Sequence, residues 1–332
     1  MTPAMTMTTR IRLGALLLCS TSCFGQTIRM GTIAPAGTYW HQVLQDTAQA
    51  WTRISGGKIK VTIYAGGVQG SEEQMLRSRV LQGMAISGAT LPAVDASLAA
   101  LTVPMLIASW EEYDYILDRV KPRLEQNLNR KGFVVVQWSD AGFVRFFSKQ
   151  PARTPDDIKK MKLFVNAGDP KTESLLRSFG FNPVTLSAND ILPALQTGMI
   201  DAFDVPPLFA LANQSFGLAK NMLDVKWSPL PAATLIRRET WESIPEELRP
   251  RLLDAAHKLG QESVAKIRKL EEEAIATMKG KGLNVIQADP ALLAEWERQA
   301  TASYPKLRGD WAPADIFDEV VRLRDEYRAG RK

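Results

Sequence analysis

Cysteine and histidine are scarce in this sequence, with two of each in 332 residues. Both cysteines, Cys19 and Cys23, lie in the first 25 residues, which we expect to be removed from the chain. The processed chain then has no thiol, no disulfide and no cysteine-based metal site. His41 and His257 each lack a second histidine or cysteine at ligand spacing, so a histidine-rich metal centre and a cysteine nucleophile are excluded.

The common sequence motifs of catalysis and phosphate binding are also lacking. No G-x-x-x-x-G-K-[ST], G-x-G-x-x-G, H-E-x-x-H or G-x-S-x-G segment occurs. Adjacent carboxylates such as Glu111–Glu112 and Asp156–Asp157 point in different directions on a helix and are typical of solvated faces. We therefore expect a protein that is not an enzyme and that holds no cofactor and no metal.

Charge of one sign is not concentrated anywhere along the chain. There are 41 Lys and Arg residues against 36 Asp and Glu, a formal net charge of +5. The densest cluster, from Lys266 to Glu273, mixes signs at helical spacing, as a solvated helix face does. A nucleic-acid partner is not expected, because phosphate binding needs clustered basic residues on one side.

A long hydrophobic run is missing as well. The apolar stretch Leu13–Cys19 is far shorter than the roughly 20 residues that span a bilayer. With Arg10 and Arg12 before it and small residues after it, this stretch predicts a secretory signal peptide over the first 25 residues. Cleavage after Gly25 would give a freely secreted periplasmic protein, and lipid attachment at Cys23 is the less favoured alternative.

The remainder of the sequence alternates short β-type runs with amphipathic helical stretches, which predicts an α/β fold with helices packed on sheets. Strands are predicted at 27–33, 58–64, 132–138, 142–148, 161–165 and 182–185, and helices at 37–54, 71–81, 154–160, 171–179 and 188–197. The two adjacent strands within 132–148 are candidates for the first crossing between two α/β units.

Apolar residues from Leu248 to Ile275 recur at near-helical spacing. They predict one helix from Pro245 to about Lys281, on the order of 50 Å long, which is more than one small domain needs. We interpret it as a strut spanning two lobes. The expected division is 26–141 plus about 232–270 for lobe one and 142–231 plus about 271–332 for lobe two, with the ligand cleft between them.

Aromatic residues cluster near predicted turns and strand ends. Examples are Tyr39 and Trp40 after Gly37, and Trp227 before Pro229. Packing in the core explains each of them singly. Their shared position favours a ligand site, because open α/β sheets bind ligands at the carboxyl ends of their strands and between domains.

Several segments match a known family in order and spacing. They are Ile28–Pro35 with Gly37–Trp40, Ser55–Tyr64, Thr154–Leu163, Phe179–Val184, Ile191–Ala202 and Trp241–Leu248. Together they resemble the solute-binding proteins of tripartite ATP-independent periplasmic (TRAP) transporters. The resemblance implies two α/β lobes, joined by hinge strands and a long shared helix, that close on a small solute. It also implies TRAP permease membrane subunits as partners, and we expect a monomer.

The departures from the family pattern concern the ligand. The family arginine that pairs with a solute carboxylate falls on Phe164, and two polar positions further on are Phe203 and Val205, with Asp204 between them. The usual Gly-x-x-Asp of lobe one ends in Ile86 here. The resemblance, with these changes, implies a solute that is more apolar or aromatic than a simple dicarboxylate.

Arg145 is the candidate for a substitute cation, provided that its side chain faces the cleft. The strand pattern does not decide this, because successive residues of a strand face opposite sides. The full set of candidate ligand-binding residues is Thr38, Tyr39, Trp40, Trp138, Phe143, Arg145, Phe164, Asn166, Phe203, Asp204 and Trp227. Two alternatives to transport stay open at this point: a periplasmic sensing module for a membrane receptor, and a secreted enzyme on the same scaffold.

Overall fold

The computed structural model describes residues 25–67, 72–167 and 170–330. Apart from Gly25, the predicted signal peptide lies outside the described residues. The strands are β1 (Gln26–Thr32), β2 (Ile59–Tyr64), β3 (Gly83–Ser87), β4 (Phe133–Phe143), β5 (Arg145–Ser148), β6 (Lys162–Asn166), β7 (Asn182–Leu186), β8 (Ala202–Val205), β9 (Asn221–Asp224), β10 (Pro229–Arg237) and β11 (Asn284–Gln287).

The helices alternate with these strands along most of the chain. They are α1 (Tyr39–Ile54), α2 (Glu72–Arg77), α3 (Leu91–Val94), α4 (Trp110–Arg130), α5 (Pro155–Lys159), α6 (Pro170–Ser178), α7 (Ile191–Thr197), α8 (Pro207–Ala212), α9 (Arg238–Glu242), α10 (Arg249–Gly280), α11 (Pro290–Asp310) and α12 (Ala314–Ala329). Short 3-10 turns occur at Ala96–Thr102, Ala188–Asp190 and Ser215–Gly217.

The strands form two sheets, which define two lobes. Lobe one has the order β2-β1-β3-β10-β4, and lobe two has the order β11-β9-β5-β8-β6-β7. In lobe one β1 runs parallel to β2 and β3, whereas β10 is antiparallel to β3 and β4. In lobe two β6 is parallel to β7 and β8, and β5 is antiparallel to β8 and β9. The predicted two-lobed α/β fold is confirmed.

Both sheets bury both of their faces. In β4 and β10, successive residues enter different cores: Val135 and Leu235 pack with α4 and α12, while Val136 and Ile236 pack with α1 and α10. Lobe two shows the same alternation along β5, β6 and β8. Because neighbouring side chains of a strand point to opposite faces, apolar runs of this kind require helices on both sides.

The chain crosses between the lobes first at Val144, between β4 and β5, and again at residues 225–228, between β9 and β10. We call these two segments the hinge. They are hydrogen-bonded to each other, with the Val144 N–H donating to the Ser228 carbonyl at 2.9 Å and the Trp227 N–H donating to the Val144 carbonyl at 3.1 Å. A crossing between the lobes was predicted within residues 132–148, and the first crossing, at Val144, lies in that range.

The long helix α10 has 32 residues, which corresponds to about 48 Å. It begins at Arg249, four residues after the predicted start, because the proline in its first turn is Pro250. Its first half packs with α1 in the core of lobe one, and Met278 near its end lies in the core of lobe two. The helix therefore spans both lobes as a strut.

Close packing of α10 on β4 depends on Gly260. A Cβ atom there would lie 2.7 Å from the Cγ of Gln137 and 2.8 Å from the carbonyl oxygen of Trp138. We expect Gly260→Ala to lower the free energy of unfolding by about 1–3 kcal/mol, the usual range for overpacking. Urea denaturation checks this, with Gly280→Ala on the same helix as control, since that Cβ meets nothing within 4 Å. Equal stability of the two variants would contradict this packing.

The C-terminal helices depart from the expected division of the chain. Trp296 in the first half of α11 packs in lobe two, but Leu307, Ile316 and Val320 lie in the core of lobe one. The expected assignment of residues 271–332 to lobe two is therefore wrong for the end of α11 and for α12. The amphipathic pattern of α12 predicts a buried face but does not say which lobe buries it.

Candidate functional site

A cavity of about 480 Å³ lies between the two lobes. Lobe one contributes the carboxyl ends of β1 and β3, through Thr32–Ala34 and Ala85–Ala89, and lobe two contributes those of β6 and β8. Helix α11 covers a further side with Trp296 and Ser303. The carboxyl ends of parallel strands are where α/β sheets bind small molecules, and the volume suits a small organic solute.

A hydrogen bond joins the two lobes one residue from Ala188, which lines the cavity. The Asn189 side chain, in the 3-10 turn before α7, donates to the Gly66 carbonyl after β2 at 3.3 Å. A positive φ of 70° places Gly66 in the conformation that glycine adopts without strain. The two lobes are thus close enough to enclose a solute.

The cavity wall is rich in aromatic side chains. They are Trp40, Phe164, Phe179, Phe181, Phe209, Trp227, Trp296 and Trp311. Trp227 and Trp296 meet edge to face with ring centroids 5.6 Å apart, and Phe146 packs against both. Such walls bind apolar surface and aromatic rings.

One buried carboxyl group faces this cavity. Glu72 is 3% exposed, and its oxygens accept hydrogen bonds from the Ser87 N–H and Ser87 hydroxyl, both at 3.1 Å, and from the Thr90 hydroxyl. Burial raises the pKa of Glu72 to about 7, although these three hydrogen bonds act in the opposite direction. Glu72 is therefore a fixed acceptor whose charge changes near neutral pH.

Two cationic side chains reach the cavity from its lobe-two side, and each pairs with a carboxylate three residues away on its own helix. Lys159 donates to Asp156 at 2.8 Å, and Arg298 donates to Glu295 at 2.7 Å. The Lys159 hydrogen bond lowers the pKa of Asp156, and the Arg298 hydrogen bond lowers that of Glu295. Both cations thus line the cavity while each is paired with a carboxylate of its own helix.

Five of the predicted site residues line the cavity together: Trp40, Phe164, Asn166, Asp204 and Trp227. Trp40 is fixed by its indole N–H, which donates to the Asp140 carbonyl at 3.1 Å. Phe164 is 4% exposed and joins the core of lobe two. The residue that the family resemblance marks as the site of the missing arginine thus presents a phenyl ring to the cavity.

The other predicted residues lie elsewhere. Thr38 caps α1, and Tyr39 in its first turn is half-buried outside the cavity. Trp138 donates its indole N–H to Glu125 at 2.8 Å, Phe143 packs against Trp110, and Phe203 stacks on Phe147 at 5.1 Å. For these three, core packing is the structural role, and their prediction as ligand residues is wrong.

Arg145 faces the hinge rather than the cavity. It is 4% exposed, and its Nε donates to Asp224 at 2.9 Å while Nη1 donates to the carbonyls of Phe143 and Val144. Glu271 lies 3.9 Å from the same guanidinium and accepts the Phe143 N–H at 3.0 Å. These contacts fix the strand as it crosses between lobes, so the prediction of Arg145 as a substitute ligand cation is wrong.

Sequence reasoning missed Glu72 and most of the lobe-two aromatic residues. Glu72 belongs to a pair of glutamates at a predicted helix start, a pattern that is typical of solvated first turns. Nothing in the local pattern shows that Ser87 and Thr90 bury it. Phe179 and Phe181 flank a helix end, and Trp296 lies in a helix that the resemblance did not cover.

Three buried carboxyl groups should make stability depend on pH. Burial raises the pKa of Glu72 to about 7, that of Asp140 to about 6 and that of Glu271 to about 7. The folded state then binds more protons than the unfolded state between about pH 4 and pH 7, so stability falls as pH rises through this range. We expect a loss on the order of a few kcal/mol.

Urea denaturation at pH 5, 6, 7 and 8 checks this dependence. Burial lowers the pKa of His257, so this one group makes stability rise with pH and partly offsets the effect of the three carboxyl groups. The surface carboxylates with lowered pKa, such as Asp157, act only below about pH 4. Glu271→Gln should flatten the curve. A stability that stays level or rises from pH 5 to pH 8 would contradict the burial of these groups.

Among the described residues, no helix is long and apolar enough to cross a membrane. The same residues hold no group of three or more His, Cys, Asp or Glu side chains placed to bind a metal ion.

The fold and the site together define a two-lobed solute-binding protein. The profile of bacterial extracellular solute-binding protein family 7 matches residues 30–310. The chain belongs to this family, the solute-binding proteins of TRAP transporters, as the resemblance implied. Members of the family are periplasmic solute-binding proteins.

Individual relatives are distant in sequence but cover nearly the whole chain. The uncharacterized protein YiiZ of Salmonella typhimurium is 25% identical over 291 residues, which are 84% of this chain and 88% of YiiZ. Bordetella pertussis DctP7, solved with pyroglutamic acid, superimposes with a TM-score of 0.83 at 20% identity, covering 91% of this chain and 100% of that one. A Pseudomonas putida protein solved with D-glucuronate superimposes with a TM-score of 0.81 at 22% identity, covering 89% of this chain and 96% of that one.

Proposed function

We propose that this protein captures a small organic solute in the cavity between its lobes and delivers it to the membrane subunits of a TRAP permease. The observation that carries the proposal is a cavity to which both lobes contribute the carboxyl ends of their strands. The Asn189–Gly66 hydrogen bond joins the same two lobes. A solute that contacts both walls stabilises the closed form, because it binds that form better than the open one.

The solute has an apolar or aromatic portion and is not a simple dicarboxylate. A guanidinium pairs with a carboxylate through two parallel hydrogen bonds, and at Phe164 a phenyl ring occupies the place of that group. Arg145 does not replace it, because its donors are used at the hinge. Relatives named for sialic acid and C4-dicarboxylates therefore support capture of a solute between two lobes, but they do not indicate which solute this protein binds.

Export to the periplasm precedes this role. Cleavage after Gly25 would leave β1 intact, since Gln26 is its first residue and is anchored there: its N–H donates to the Lys58 carbonyl at 2.7 Å and its side chain donates to Ser243 at 2.8 Å. The intact mass of the exported protein distinguishes this form from a lipid-modified one beginning at Cys23.

Mass spectrometry of the small molecules released by unfolding the gently purified protein tests solute capture. Wild-type protein should release a stoichiometric organic solute. Ala141→Trp should release little of it, because Ala141 lines the cavity and indole fills that space. Ala329→Trp, at the exposed end of α12, is the control and should behave as wild type. Equal release from all three proteins would overturn the proposal.

A further inference from the structure

The two walls of the cavity differ in chemistry. The lobe-one wall carries the Glu72 carboxyl, which is 3% exposed. The lobe-two wall carries the rings of Phe164, Phe179, Phe181 and Phe209. A solute that touches both walls must therefore present a polar group to lobe one and an apolar body to lobe two.

Glu72 is held in one orientation and retains acceptor capacity. The Ser87 N–H occupies Oε1, while the Ser87 and Thr90 hydroxyls contact Oε2. An ionised carboxylate offers about four lone-pair sites, so three donors leave room for one more. Among the side chains that the structure describes, no Lys, Arg or His forms an ion pair with this carboxyl. Because Glu72 lines the cavity, a solute bound there can supply the remaining donor.

Beside Glu72, the carboxyl group itself disfavours an anionic part of the solute. Lys159 also donates to the Gln299 side chain at 3.3 Å, in addition to Asp156, and Arg298 is 70% exposed in its pair with Glu295. Both cations line the cavity from elements of lobe two, whereas Glu72 belongs to lobe one. A carboxylate placed beside Glu72 would meet a like charge or force Glu72 to take up a proton.

We propose that the solute is an organic amine with an aromatic or aliphatic body, a proposal that rests on the capture role proposed above. The N–H groups of the amine donate to Glu72, and its body packs against the lobe-two phenyl rings. Charge-assisted hydrogen bonds to a desolvated carboxylate are among the stronger polar contacts in proteins. The contact also links the lobes through the solute, since Glu72 belongs to lobe one and the rings belong to lobe two.

The pH dependence of binding follows from the same contact. Because burial raises the pKa of Glu72 to about 7, part of the empty protein carries a neutral Glu72 at pH 6. An ammonium group binds the ionised form, so its affinity should rise between pH 6 and pH 8. An anionic solute that avoids a charged Glu72 would show the opposite trend.

Calorimetry with two probes of matched body and opposite charge tests the proposal. Phenethylamine should bind, and 3-phenylpropionate should not. Glu72→Gln keeps the shape but removes the charge and should weaken phenethylamine binding about 10-fold or more. Glu246→Gln, an exposed residue, should have no effect. Tighter binding of 3-phenylpropionate than of phenethylamine by the wild-type protein, or phenethylamine binding that is unchanged in Glu72→Gln, would overturn the proposal.

The solute released from wild-type protein gives a second readout that does not depend on the folding of a variant. A basic nitrogen in its composition supports the proposal. A released solute without an N–H donor overturns the amine assignment while leaving solute capture in place. The capture role itself would be overturned by a different result: wild-type protein releases no solute, and Ala141→Trp binds phenethylamine and 3-phenylpropionate as wild type does.

Discussion

Replacing Arg268 by alanine should lower the free energy of unfolding by about 3–5 kcal/mol. Arg268, on α10, donates to both oxygens of Asp114 at 2.6 and 2.7 Å and to Asp140 at 2.8 Å, and its guanidinium lies 4.3 Å from the ring of Trp110. Asp140 is 3% exposed. Removing the arginine leaves that carboxyl buried without its cation, which is more costly than losing an exposed pair.

Lys269 provides the matched control for this variant. It is the next residue of α10, is 71% exposed and pairs with Glu273 at 3.6 Å. Lys269→Ala should change the free energy of unfolding by less than about 1 kcal/mol, as exposed ion pairs do. Urea denaturation of both variants at pH 7 makes the comparison. Similar losses in the two would show that burial of the Arg268 cluster contributes nothing.

Replacing Trp296 by alanine should cost about 3–5 kcal/mol, the usual range for a buried tryptophan. Trp296 is 1% exposed, packs between Phe146 and Trp227, and donates its indole N–H to the Arg153 carbonyl at 2.7 Å. The substitution also enlarges the cavity that this ring lines, so retention of solute should fall together with stability.

Leu293 on the same helix is the control for this second substitution. Its side chain is 37% exposed, so Leu293→Ala should cost about 1 kcal/mol or less. Thermal unfolding and solute retention are measured on both variants. If Trp296→Ala retained the solute at the wild-type level, Trp296 would not be part of the binding wall.

The sequence predicted the fold more fully than the site. Periodic patterns predicted α1, the strands near the hinge and the long helix, because each depends on local amphipathicity and turn residues. The return of α12 to lobe one could not be predicted in this way. Its apolar face fits either lobe, and only the packing of Ile316 and Val320 against lobe one decides between them.

Position on a strand was the most useful sequence signal for residues of the cavity wall. Phe164 and Asn166 lie on a parallel strand that ends at Asn166, and both line the cavity; their role in binding a ligand stays a prediction. The prediction that Arg145 binds the ligand was wrong because the partners that orient it, Asp224 and Glu271, are distant in sequence. Glu72 was missed for a similar reason, since its burial depends on residues 15 and 18 positions away.

Small-angle X-ray scattering detects whether the two lobes close around a solute. The protein is freed of solute by unfolding and refolding, and its radius of gyration is measured before and after the released solute is returned. The radius of gyration should be smaller with solute, and Ala141→Trp should show no such change. An unchanged radius at saturating solute would contradict closure of the two lobes.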